Sequence, residues 1–193
     1  MSRRPGNENK ADRVPVAGRA VLALLNSRPH SIQGDRLDEP EHAAAIVAQF
    51  GATGEELSVE VLETIRAIRA DLVAAITAET REDAESAWRE FTSHTSGVVL
   101  QQDFSVPGEV RLCQVAGEPA IGRIALIVAE LVSAGEWSRV RICGNDVCAG
   151  VFYDTTRSRT QRWDSYETCG NRLNVAAHRA RSRKSSGGTP SDH

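Results

Sequence analysis

A chain of 193 residues has room for one ordinary domain, or one domain with a small appendage. Hydrophobic residues make up 40% and aromatics only 5%, so a core can form but must be built mostly from Ala, Val, Leu and Ile. The net charge of -3 hides a split: residues 1–138 carry 13 Lys/Arg against 21 Asp/Glu, and residues 139–184 carry 10 against 4. An acidic body with a basic end is the asymmetry that brings nucleic acid into consideration. No apolar run approaches the ~18 residues of a membrane span. The polar start MSRRPGNENKADR lacks the apolar region of a signal peptide. The expectation is a cytoplasmic, reducing location without membrane contact, where cysteines serve as metal ligands or core residues rather than disulfides.

Residues 1–13 are polar enough to predict disorder, as is the Ser/Gly/Pro-rich end 185–193. Val16 to Asn26 reads as a short apolar helix, broken off by Pro29, Gly34 and Pro40. Glu41 to Phe50 reads as a helix with Ala44, Val47 and Ala48 inward, ended by Gly51 and Gly54. Ser58 to Thr80 is the clearest long helix: Ser58 is a good N-cap, and Leu62, Ile65, Ile68, Leu72 and Ile76 recur at helical spacing. Arg81 to His94 continues as a further helix. Two β-type runs follow, Val98 to Leu100 and Val110 to Val115, separated by Pro107-Gly108, a hairpin signature. Cys113 in the second run is expected to be a small buried hydrophobe. Glu118 to Ser133 is an apolar helix (Ile121, Ile124, Ala125, Val128, Leu131, Val132) closed by Gly135. No phosphate-cradling glycine loop, HExxH or nucleophile elbow occurs, so no enzyme activity is expected.

Chemistry concentrates after Arg139. Cys143 and Cys148 form a C-x4-C pair with Gly144 and Asn145 between them, a knuckle able to aim two thiolates at one metal. Fifteen residues further on, Asp164 and Cys169 repeat the spacing as D-x4-C. Three sulfurs and one carboxylate oxygen make a candidate tetrahedral zinc site. So short a segment with few large apolar residues needs such a cross-link to fold. The fourth ligand stays open between Asp164, His178 and a water. Between the pairs run the strand-like Gly150 to Tyr153 and a basic turn, Asp154 to Arg162, whose Arg157, Arg159 and Arg162 can reach phosphate.

Cys169-Gly170-Asn171-Arg172 resembles the signature of the CGNR zinc-finger family. The paired cysteines, Phe152, Asp154, Thr156-Arg157, Arg162-Trp163 and the Arg-rich segment after the signature resemble it too, although that family usually places a cysteine where this chain has Asp164. The body resembles the ABATE domain that precedes this finger, in the apolar segment ending Leu25-Asn26, the Arg-bearing helix Val61 to Ile76, the hairpin and the apolar helix. The resemblance implies a bacterial transcription regulator of the stress-induced type. It implies zinc as cofactor and DNA as partner, with RNA or a protein as alternatives, and a body that senses a signal or forms a homodimer. Gly170 is expected to permit a tight turn and Asn171 to cap a helix bearing Arg172, Arg179, Arg181 and Arg183. Arg172 can contact DNA or brace the loop. Leu173, Ala176 and Ala177 are expected to pack on Phe152 and Trp163. The fold expected is α+β, mainly α: a helical body with a β-hairpin over 14–138, then a knuckle, short hairpin and helix over 139–184.

Overall fold

The computed structural model of the chain describes residues 13–30, 33–52 and 57–170. The fold is mainly helical with two small antiparallel hairpins. Among the described residues the body has five α-helices: α1 Val16–Leu25, α2 Pro40–Ala48, α3 Val59–Thr77, α4 Arg81–His94 and α5 Pro119–Ser133. The first hairpin, β1 Val99–Asp103 with β2 Arg111–Ala116, sits between α4 and α5. The second, β3 Val140–Ile142 with β4 Val151–Tyr153, opens the C-terminal module. Among the described residues no helix is long and apolar enough to cross a membrane.

The helix limits follow local chemistry. Val61 N donates to the Ser58 side chain at 3.3 Å, the expected cap of α3. Thr80 caps α4 in the same way, taking Asp83 N at 3.1 Å, so the long apolar periodicity ends at Thr77, three residues before the predicted end. Helix α2 begins at Pro40, whose missing N–H costs nothing in a first turn. Its inward face is Ala43, Ile46 and Val47 rather than the expected Ala44, Val47 and Ala48, because the large Ile46 and Phe50 take the core. In α5, Ile121, Ile124, Val128 and Leu131 are buried as expected, whereas Val132 faces outward.

Gly108 adopts φ +81 in the turn of the first hairpin, at the predicted Pro-Gly. That hairpin departs from expectation in its burial. Cys113 is exposed, as are Val99, Leu112 and Val115. The reason is that two strands alone have two faces, and Gln114 is the β2 side chain laid against α5, over Gly122.

One core runs from α1 through α5 and takes in Val140, Val151 and Tyr153 from the second hairpin. Its polar centre is Arg69 of α3, only 6% exposed. Arg69 Nη1 donates to Ser27 Oγ and to Asp35 Oδ1, both at 2.8 Å, and Nη2 donates to Asp35 Oδ2. The Arg69 hydrogen bond holds the Asp35 carboxyl below its usual range. Periodicity gave no hint of this arginine, because it interrupts an otherwise apolar stripe. Removing one member of such a pair strands the other. Arg69→Met is therefore expected to lower unfolding stability by about 3 kcal/mol, read by urea denaturation followed through helical circular dichroism.

Candidate metal centre and basic loop

The knuckle is one tight turn hung on the second hairpin. Asn145 is buried, its Oδ1 accepts from Val147 N at 3.2 Å, and its carbonyl accepts Cys148 N at 2.8 Å and Ala149 N at 2.9 Å. Cys143 N donates to Gly150 O at 2.8 Å, which returns the chain to β4. The second arm is the turn Tyr166–Gly170, closed by Cys169 N donating to Ser165 O at 2.9 Å. The two arms are tied by Gly144 N donating to Arg162 O at 2.9 Å.

These turns bring the Cys143, Cys148 and Cys169 sulfurs within 4.8 Å of one another. Tetrahedral zinc–sulfur bonds of about 2.3 Å place sulfurs roughly 4 Å apart, so small side-chain shifts would seat an ion. None of these cysteines is in a disulfide, and Phe152 and Trp163 pack around them. Burial pushes the Cys148 thiol up to about 11, with Cys143 and Cys169 adding to the rise. Three thiols this close together, Cys143 and Cys169 buried and Cys148 half-buried, form an incomplete arrangement that a cation would complete. The residues present thus fit zinc, with three sulfur ligands among the described residues.

Asp164 is not part of that cluster. It is exposed, and its carbonyl accepts from Gln161 Nε2 at 3.3 Å. The rival ligand His178 lies outside the described residues, as do Asn171, Arg172, Arg179, Arg181 and Arg183, the helix expected to bear them, and its packing on Phe152 and Trp163. Gly170 is required for a different reason from the one expected. It is buried and not left-handed, and a methyl group there would lie 2.9 Å from the Tyr166 ring and 3.2 Å from Trp163 Cε3.

The basic turn is built round a residue that the sequence pattern left without a role. Asp154 is fully buried. Its Oδ1 accepts from Thr156 N at 2.8 Å and Thr156 Oγ1 at 2.5 Å, and its Oδ2 from Gln161 N at 2.9 Å and Arg141 Nη1 at 3.3 Å. Burial alone would raise its pKa; these hydrogen bonds outweigh burial and bring it below the usual carboxylate value. Arg141 Nη1 also donates to Arg159 O at 2.9 Å and Gln161 O at 3.2 Å, while Arg139 Nη1 donates to Asp154 O and Thr156 O at 3.0 and 2.9 Å. Two arginines and one aspartate therefore brace the loop from within. Arg157, Arg159 and Arg162 remain exposed on its surface. Arg159 reaches Ser138 Oγ at 2.8 Å, and the Arg162 guanidinium lies 5.5 Å from the centre of the Trp163 ring.

Residues 139–182 match the CGNR zinc finger family. The match begins at the first arginine that braces the loop and includes all three clustered cysteines. No curated protein matches the chain closely enough to stand as a relative. The finger is thus a metal-binding type of module, appended to a helical body.

Two measurements check this assignment. Elemental analysis should find one zinc per chain in the wild type and in Cys113→Ser, but much less in Cys148→Ala; a full equivalent retained by Cys148→Ala would rule out that ligand. Asp154→Asn should cost about 2–3 kcal/mol near neutral pH, since charge-assisted hydrogen bonds are lost. A depressed carboxylate contributes its stability above its unfolded pKa, near 4, and loses it as the pH falls through the folded value. The gap between wild type and Asp154→Asn should therefore close below about pH 4, as followed by thermal melts across a pH series.

Proposed function

We propose that the chain is a transcription regulator that binds DNA through its zinc finger. The observation that carries this reading is the braced loop. Arg157, Arg159 and Arg162 are exposed on a turn whose backbone is held by the buried Asp154 and by Arg139 and Arg141. A loop already fixed loses less conformational entropy when it meets phosphate, and guanidinium groups suit phosphate well. The hydroxyls of Ser158 and Thr160, 2.8 Å apart, offer further donors on the same turn. The match to the CGNR zinc finger supports the metal-binding half of the reading. Such contacts position a protein on the backbone and do not by themselves read sequence. Base contacts are assigned to the Arg-rich segment containing Arg172, Arg179, Arg181 and Arg183.

The body, on the resemblance to the ABATE domain, would sense a signal or hold two copies together. The exposed Val99, Leu112 and Val115 of the first hairpin support the second role. On this reading the protein is a cytoplasmic regulator and not an enzyme.

Binding to a duplex panel tests the proposal. With about five phosphates neutralised, the log–log salt slope should be near -4 to -5, and Arg157→Ala should reduce it by about 1 without changing zinc content. Replacing Arg179 and Arg181 by Ala should weaken binding further. Unchanged duplex binding in all these variants would favour a protein-interaction module, and preference for single-stranded or looped RNA would favour an RNA-binding one.

A further inference from the structure

The metal knuckle is not held by its own residues alone. Two side chains just after α1 reach across the fold to it. Asn26 brackets Val151: its Nδ2 donates to Val151 O at 2.7 Å, and its Oδ1 accepts Val151 N at 2.7 Å. Arg28 Nη2 donates to Ala149 O, while its Nη1 donates to Leu25 O at 2.8 Å. Between these anchor points, Ala149 and Val151, lies only Gly150, on the link from the ligand Cys148 to β4.

That link is conformationally demanding. Ala149 has φ 48, a left-handed backbone that is unfavourable for an alanine. A methyl group on Gly150 would stand 3.3 Å from Cys148 Sγ and 3.9 Å from Asn26 Oδ1. The same glycine's carbonyl takes Cys143 N, so its placement sets the spacing of two of the three ligands. The anchors are themselves fixed to the body. Ser27, between them, is fully buried and accepts from Arg69 Nη1, and Gln33 Nε2 donates to Asn26 O at 2.9 Å. The Arg28 guanidinium also lies within electrostatic reach of the Cys148 sulfur. Three thiolates on one divalent ion leave a net negative charge, and a cation beside them offsets it.

We propose that Asn26 and Arg28 are outer-sphere positioning residues of the metal centre, so that the helical body builds the site and the metal in turn stabilises the body. This rests on the three-cysteine metal reading. Residues that orient ligands from behind typically govern 10–100-fold in metal affinity. Linkage makes the effect reciprocal, because an ion that binds only the folded arrangement stabilises every element that builds it.

The test uses the full chain, stripped of metal and titrated with zinc against a chromophoric chelator. Asn26→Leu and Arg28→Met should each weaken zinc binding by about 10- to 100-fold. Ile68→Val, which trims the buried face of α3 without touching either anchor side chain's polar groups, should lower the melting temperature and leave affinity unchanged. Zinc should also raise the melting temperature of the wild-type helices by more than it raises that of Asn26→Leu. Should Asn26→Leu lose helical content, Arg28→Met carries the test, since it leaves the Asn26 bracket in place. Wild-type affinity in the folded variants would overturn the proposal alone. A wild-type chain that takes up no zinc would sink the metal reading and the proposal together.

Discussion

The fold hinges on an amide that does the work of a missing strand. The second hairpin has two short strands, and β4 would otherwise present Val151 N–H and C=O to a buried boundary with no partner. Asn26 supplies both, an acceptor and a donor from one side chain, in the positions a third strand would provide. Buried backbone polar groups left unpaired are costly, so this bracket decides where the hairpin can sit. Once it sits there, Val140, Val151 and Tyr153 complete the core of the body, and the knuckle follows because Gly150 directly precedes Val151. Just before β3, Trp137 also meets Trp88 of α4, with 5.1 Å between ring centres.

A second constraint works at the far end of the hairpin. Burying a carboxylate is unfavourable unless its oxygens are well supplied with donors. Asp154 has four hydrogen-bond donors: three belong to the loop it organises and the fourth, Arg141, to the strand β3. The result is a division of labour among like-charged residues. Arg139 and Arg141 direct donors to loop carbonyls and to Glu136 and Asp154, whereas Arg157, Arg159 and Arg162 are exposed on the loop surface. Net charge therefore overstates the number of cations on display, because two of the ten in this region are structural.

How much of this could be read from the sequence differs by kind of interaction. The helices were legible because apolar spacing and caps are local: Ser58 and the Ile65, Ile68, Leu72 stripe specify α3 from within a single segment. The three cysteines were legible because metal ligation restricts residue type and spacing together. What remained hidden were polar residues whose partners lie far along the chain. Arg69 with Asp35, Asn26 with Val151 and Arg28 with Ala149 look like ordinary surface residues until the fold brings them together. Asp164 lies outside the cysteine cluster, although its interval from Cys169 repeats the spacing of Cys143 and Cys148. Cys113 was misjudged because burial of a strand face depends on how many layers cover it, which strand periodicity alone does not report.

The bracket between Asn26 and Val151 joins residues 125 positions apart. During synthesis, α1 leaves the ribosome long before the groups that fasten it to the finger are made. Its Ala17, Ala20, Val21 and Leu24 face must wait for α5 as well. Contacts this distant close late and slowly. Full fastening of α1 therefore comes late, and the interval before it is one in which the nascent protein is open to chaperones, proteases and mispairing.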